Sequence, residues 1–168
     1  MITIETERLL MKPWAEGDVE DFFPIARDPL VMRCGGAPWS NDEVLEFVAR
    51  QMVSQDRNGF CMWKLVLKET GELTGFCGLQ PLVGTEEIEV GWWLASRCWH
   101  KGLATEAARR ALEFAFAEAG LERVVAVVLP ENEKSVAVTQ RLGMRYVGRV
   151  QHKGIELLKY EVRKEGWV

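Results

Sequence analysis

Residues 86–107, EEIEVGWWLASRCWHKGLATEA, constrain this chain more than any other segment. An apolar strand over 88–94 runs through a short loop into a helix that begins with small residues. Gly102 and Ala104 leave the backbone bare, so the amides of residues 100–105 can point outward. They coincide with the positive end of the dipole of a helix over 103–119. Backbone donors at a helix N-terminus form an anion site, and a pyrophosphate suits it. The plainer alternative makes Gly102 a turn residue and Ala104 a helix former. Neither GxxxxGK[ST] nor GxGxxG after a strand is present, which sets aside P-loop and Rossmann sites.

The rest of the chain builds one sheet around this unit. A first strand covers 3–11, with Ile2, Ile4, Leu9 and Leu10 as core candidates. A helix over 18–26 carries Val19, Phe22, Phe23 and Ala26 at helical spacing. Residues 28–38 read as irregular, punctuated by Pro29, Gly35, Gly36 and Pro38. Ser40 and Glu43 form a capping box for a helix over 41–55, with Val44, Leu45, Val48 and Met52 inward. Strands over 60–67 and 73–79 flank a turn at 69–71 as an antiparallel hairpin. The helix over 103–119 gathers Leu103, Ala107, Ala111, Phe114 and Ala115 on one face and places Glu106 and Arg110 as an exposed i,i+4 pair. Gly120 closes it. The run Val124-Val125-Ala126-Val127-Val128 is a strand buried on both faces. A helix over 135–141 ends at Gly143, and strands over 146–151 and 156–162 complete the chain. The 168 residues suit one domain spanning 1–168, an α+β mixed sheet flanked by helices.

Charge and composition remove whole classes of function. The net charge of −4 lacks the basic bias of a nucleic-acid binder. The cysteines, Cys34, Cys61, Cys77 and Cys98, form no CxxC pair, and His100 and His152 are the only histidines, so no zinc site is expected. Reduced thiols and the absence of any apolar run near the ~20 residues of a membrane span point to a cytoplasmic protein.

The loop WHKGLATEA, preceded by EIEVGWWL and followed by PENEKSVAVTQRLGM, resembles the Gcn5-related N-acetyltransferases. The opening ETERLLMKPW and the segment PLVMRCGG resemble the RimJ/RimL-like branch, which acetylates N-termini of ribosomal proteins. The resemblance covers nearly the whole chain. It implies a mostly antiparallel sheet with a splayed, bulged fourth strand, and acetyl-CoA or CoA as co-substrate. In the family a Q/R-x-x-G-x-G/A loop wraps the CoA pyrophosphate with main-chain amides. That loop becomes Trp99, His100, Lys101, Gly102, Leu103 and Ala104, with Thr105 following. Trp99 stands in place of the usual Gln or Arg. His100 stands where Gly is common, and a positive φ there would strain it. The resemblance also implies that backbone groups of Trp92 and Leu94 pair with the pantetheine arm like an added strand. Asn132 contacts CoA in this reading; as a turn residue it would cap the next helix instead. Ser135 faces the CoA sulfur in this reading, or serves as that helix's N-cap.

Acetyl transfer to an amine needs a neutral nucleophile, donors for the oxyanion and a proton or dipole for the thiolate. Glu89 is the candidate base, acting through water, with a solvated strand carboxylate as the alternative; Glu86 and Glu87 are weaker. A backbone amide near Trp93 or Leu94 is the oxyanion donor. Many relatives place a Tyr acid where this chain has Thr139, so Ser135 is the candidate substitute. The acceptor is expected between the 28–40 loop and the last hairpin near His152, with Trp14, Met32 and Trp39 as groove or core residues. The function is then transfer of acetyl from acetyl-CoA to a primary amine, foremost a protein N-terminal α-amine, in a ternary complex. A small-molecule amine acceptor and a catalytically inactive CoA-binding module are the alternatives. No nucleic acid or membrane partner is implied, and the chain is a monomer or a homodimer.

Overall fold

The computed structural model describes residues 2–35 and 37–167, the side chains of 33–35 excepted; Gly36 and the side chain of Cys34 therefore lie outside the described residues. Its elements are β1 (Ile4–Glu5), β2 (Leu9–Lys12), α1 (Val19–Ala26), α2 (Pro29–Gly35), α3 (Asn41–Asn58), β3 (Met62–Leu67), β4 (Leu73–Pro81), β5 (Ile88–Leu94), α4 (Leu103–Ala117), β6 (Arg123–Val128), α5 (Glu133–Arg141), β7 (Arg145–His152) and β8 (Ile155–Arg163). The strands form one eight-stranded sheet in the order β1-β2-β3-β4-β5-β6-β8-β7. Every neighbouring pair is antiparallel except β5 and β6.

That exception creates the site. β4 and β5 pair continuously from Pro81–Ile88 to Gly75–Leu94, without the bulge implied for this strand. β5 and β6, by contrast, pair only at Glu89–Val125. Beyond that point the two strands part. The splayed strand is the fifth here because the expected first strand breaks at residues 6–8 into β1 and β2. Burial follows the pleat of β2: Leu9 and Met11 are buried while Leu10 is half-exposed. Ile2 precedes the pairing and is exposed.

Helices cover both faces of the sheet. Ser40 and Glu43 make the expected capping box, and Gly59 ends α3 at φ 76. Phe47 takes the inward place expected of Leu45, which is exposed. Residues 29–35 are helical rather than irregular. Proline fits a first helical turn because its missing N–H has no partner to lose there. Asp28 accepts from the Leu30 N–H at 2.9 Å and fixes that start. On α4 the expected apolar face is buried throughout. Glu106 does not pair with Arg110; it turns to Arg8, and Arg110 meets Glu113 and Glu118 instead. The cap of α5 is Asn132, not Ser135: its side chain accepts from the Ser135 N–H at 3.2 Å. Cys61, Cys77 and Cys98 are free and buried, and burial pushes the Cys61 thiol up to about 12. No helix among the described residues is long and apolar enough to cross a membrane.

Gly75 is a fixed point of the β4–β5 ladder. It lies at φ +145, and a Cβ there would collide with the Trp93 carbonyl oxygen. Gly75→Ala is expected to lose at least about 2 kcal/mol of stability, because backbone rather than a flexible side chain must yield. Thermal denaturation checks this; an unchanged midpoint would show that the ladder relaxes freely.

Candidate active site

The gap between β5 and β6 widens into a cleft of about 1080 Å³. It collects Glu89, Trp92, Leu94, Trp99, His100, Gly102, Leu103, Ala104, Thr105, Asn132 and Ser135 in its lining. Lys101, the remaining member of the expected set, contributes no lining surface and is exposed.

One end of the cleft is the start of α4. Gly102 is its N-cap at φ 76, and no side chain caps the first turn. The first-turn amides are therefore left to a ligand or water. Thr105 adds a buried hydroxyl oxygen without a hydrogen-bond partner in the same turn. His100 takes φ 61, so the strain anticipated at this position is present. Trp99 cannot donate to a phosphate from the position of the usual Gln or Arg, because its indole N–H is bonded to the Leu94 carbonyl at 3.0 Å. Lys134 places its ammonium 3.9 Å from the centre of the Trp99 ring, a cation–π contact that joins α5 to the loop.

The backbone of β5 supplies the wall. Leu82 N–H bonds Glu87 O at 2.9 Å and Ala95 N–H bonds Thr74 O at 2.8 Å. Antiparallel hydrogen bonding alternates, so odd-numbered positions of β5 spend their N–H and C=O on β4. Even-numbered Trp92 and Leu94 aim theirs at the side where β6 has departed, where the Leu94 carbonyl meets the Trp99 indole and the Leu94 N–H does not. The Trp92 indole also donates to Ser135 Oγ at 3.2 Å. An oxygen that accepts there keeps its own O–H free to donate into the cleft.

The side chains of Glu89 and Trp93 lie on the opposite face of β5 from Trp92. Glu89 is half-buried. Burial raises its carboxyl above the usual range, and the hydrogen bond from Gln80 Nε2 at 2.7 Å opposes part of that rise. Glu87 is held by Arg123 and by Lys159, the latter at 2.6 Å, and Glu86 is exposed. Val31, Trp39 and Phe76 line this end with Trp93; the Trp39–Trp93 ring centres are 4.6 Å apart. His152, Ile155 and Leu157 of the last hairpin line the same cleft. Trp14 and Met32 are core residues, 3% exposed each. Thr139 is fully buried and its hydroxyl donates to the Val136 carbonyl at 2.6 Å, so it does not replace the absent Tyr. Gln80 and Arg8 escaped sequence reasoning: the alternation of β4 places Gln80 opposite Glu89, but only the strand register reveals it.

The opened sheet thus offers bare amides at one end of the cleft and a half-buried carboxylate at the other, donors for an anion and a base for a proton. The family model described as "Acetyltransferase (GNAT) domain" matches residues 8–145. The chain belongs to this family and is an N-acetyltransferase. Bacillus subtilis YkkB is 28% identical over 159 residues, covering 93% of this chain and 92% of its own. The FsC-acetyl coenzyme A-N(2)-transacetylase of Aspergillus fumigatus is 29% identical over 185 residues, covering 99% of this chain and 78% of its own. The crystal structure of an acetyltransferase from Agrobacterium tumefaciens superposes with a TM-score of 0.87 at 27% identity, covering 98% of this chain and 95% of that one.

The left-handed His100 gives a direct test. His100→Gly is expected to raise stability by about 1 kcal/mol, since glycine adopts this backbone region without steric cost. Chemical denaturation reads the change; a loss of stability would mean that the imidazole makes contacts worth more than the strain.

Proposed function

We propose that the chain transfers the acetyl group of acetyl-CoA to a primary amine, foremost the α-amine of a protein N-terminus, by direct attack in a ternary complex. The observation that carries this reading is the single cleft running from the uncapped amides of α4 to the half-buried Glu89. Its volume of about 1080 Å³ lies at the top of the usual range for a ligand site, roughly 300–1000 Å³.

The amides of residues 102–105 and the Thr105 hydroxyl receive the cofactor diphosphate, and Trp92 and Leu94 pair with the pantetheine arm. Asn132 works by capping α5, which holds Ser135 in place beside that arm. Glu89 takes the proton from the ammonium form of the acceptor through water, so that a neutral amine attacks the thioester carbonyl. The bond from nitrogen to the acetyl carbon forms and the carbon–sulfur bond breaks; the proton shed by the acylated nitrogen passes through water to the departing thiolate, to which the Ser135 hydroxyl donates a hydrogen bond. Backbone N–H groups at the end of β5 stabilise the oxyanion.

The acceptor end favours an amine on a small apolar group. Trp39 and Trp93 line it with rings tilted 56° to one another, an angled aromatic wall. Among the described carboxylates of the lining, Glu89, Glu106 and Glu133, only Glu89 lies on this face. A polycationic acceptor would call for several. The branch resemblance of ETERLL and PLVMRCGG supports the protein N-terminus; the named activity of the Aspergillus relative supports a small-molecule amine as the second reading.

Calorimetric titration with acetyl-CoA, with free CoA and ATP as controls, tests the cofactor half. Micromolar binding of both thiol cofactors, roughly −8 kcal/mol, and none of ATP is expected. Failure of both to bind overturns the assignment of the loop. A panel of peptides and small amines then decides between the two acceptors.

Glu89→Gln is expected to lower turnover with little change in acetyl-CoA affinity. The base acts in its charged form, which burial disfavours. Wild-type kcat/KM should therefore fall with decreasing pH through a value above the usual carboxylate range, about 4.3. The variant should lack that limb; identical pH profiles would remove Glu89 from the mechanism. Ser135→Ala is expected to slow turnover less, and a larger loss than in Glu89→Gln would reverse their ranking.

A further inference from the structure

Residues 6–8, the TER of ETERLL, form the turn between β1 and β2. Thr6 N–H bonds Leu9 O at 3.0 Å, and Lys68 N–H bonds Arg8 O at 3.0 Å, so the turn is tied to the body of the sheet. From this fixed base Arg8 crosses to the cofactor loop. Its Nη1 donates to the Lys101 carbonyl at 2.8 Å. Its Nε and Nη2 meet Oε2 of Glu106 at 2.7 and 2.6 Å. The other oxygen of Glu106 accepts from the Arg8 N–H at 2.8 Å and the Thr6 hydroxyl at 2.6 Å.

Two physical problems meet at this spot. The first is strain. Lys101 lies between His100 at φ 61 and Gly102 at φ 76. A left-handed non-glycine residue persists only where its surroundings over-determine it. A charged donor on the intervening carbonyl, held from a rigid turn, provides such a restraint. The second is charge. Glu106 stands in the first turn of α4 and lines the cleft. Unpaired, it would repel an anion at the neighbouring amides. Burial alone would raise its carboxyl, but the bonds from Thr6 and Arg8 outweigh burial and hold it below its ordinary value.

We propose that Arg8 is a positioning residue for the cofactor: it locks the 99–104 loop in its anion-receiving shape and cancels the charge of Glu106 beside it. This rests on the reading of that loop as the diphosphate site of acetyl-CoA. Arg8 reaches the carboxylate and the carbonyl from separate nitrogens of one rigid plane, whereas an ammonium would have to serve both from a single nitrogen on a flexible stem.

The test compares two acetyl donors on the full chain. Acetyl-CoA carries the diphosphate; S-acetylpantetheine has the same thioester and arm without it. Arg8→Ala is expected to raise Kd and KM for acetyl-CoA by about tenfold to a hundredfold, the range for a lost charged hydrogen bond. The kcat at saturating acetyl-CoA and the kcat/KM for S-acetylpantetheine should stay near wild type. Arg8→Lys should lose acetyl-CoA affinity in the same direction, and it carries the comparison if Arg8→Ala does not fold. Adding Glu106→Gln to Arg8→Ala should recover part of the lost affinity by removing the unpaired charge. Unchanged acetyl-CoA affinity overturns the role of Arg8. An equal loss with both donors also overturns it, because it would mark a general structural contribution. Failure of the wild-type protein to bind acetyl-CoA overturns the underlying loop reading instead.

Discussion

β5 and β6 run parallel and touch at a single register point, Glu89 against Val125. A parallel pair is stitched by slanted bonds of its own, whereas each strand here is also committed to an antiparallel partner, β4 on one side and β8 on the other. The two halves of the sheet keep their own antiparallel geometry and separate from one another beyond Glu89. Everything chemical about the molecule follows from that opening. It frees the backbone of Trp92 and the N–H of Leu94, admits α5 and Ser135 to the cleft, and leaves Glu89 at the vertex, where burial raises its carboxyl.

The cleft is polarised along its length. One end has donors without acceptors: the uncapped first turn of α4 and the orphan hydroxyl of Thr105. The other has Glu89 set among aromatic rings. In the proposed reaction the anionic cofactor takes the first end and the amine the second, a sorting by electrostatics and burial. Gathering both in one site removes much of the entropy of bringing them together.

Long-range contacts hold the polarised ends in shape. The β1–β2 turn reaches the loop before α4 through Arg8 and Glu106. Ser96, in the turn after β5, donates to Asp28, whose other oxygen starts α2. Lys134 of α5 rests on Trp99. Each links segments far apart in the chain to the same short loop. A loop with a left-handed histidine needs such support, because its own backbone does not favour the conformation.

Local rules made much of this legible in the sequence. The capping box at Ser40, the apolar face of α4, the hairpin of β3 and β4 and the glycine-led start of α4 depend on residues within a few positions of one another, and they lie where the pattern puts them. The cleft residues gather as the resemblance implies for the same reason: a strand, loop and helix in succession leave little freedom. Tertiary structure decided whatever depends on partners distant in sequence. Proline and glycine around α2 look alike in a loop and at helix ends; Asp28 and Pro29 start the helix locally, and burial of Val31 and Met32 in the core holds it. Glu106 has a local partner in Arg110 but takes Arg8, since a fixed turn offers it several donors at once. The partnership of Gln80 with Glu89 and of Trp92 with Ser135 depends on strand register and on the splay of β5 from β6. Periodicity tells a strand which face is buried; it carries no information about which residue stands opposite, and that choice belongs to the folded sheet.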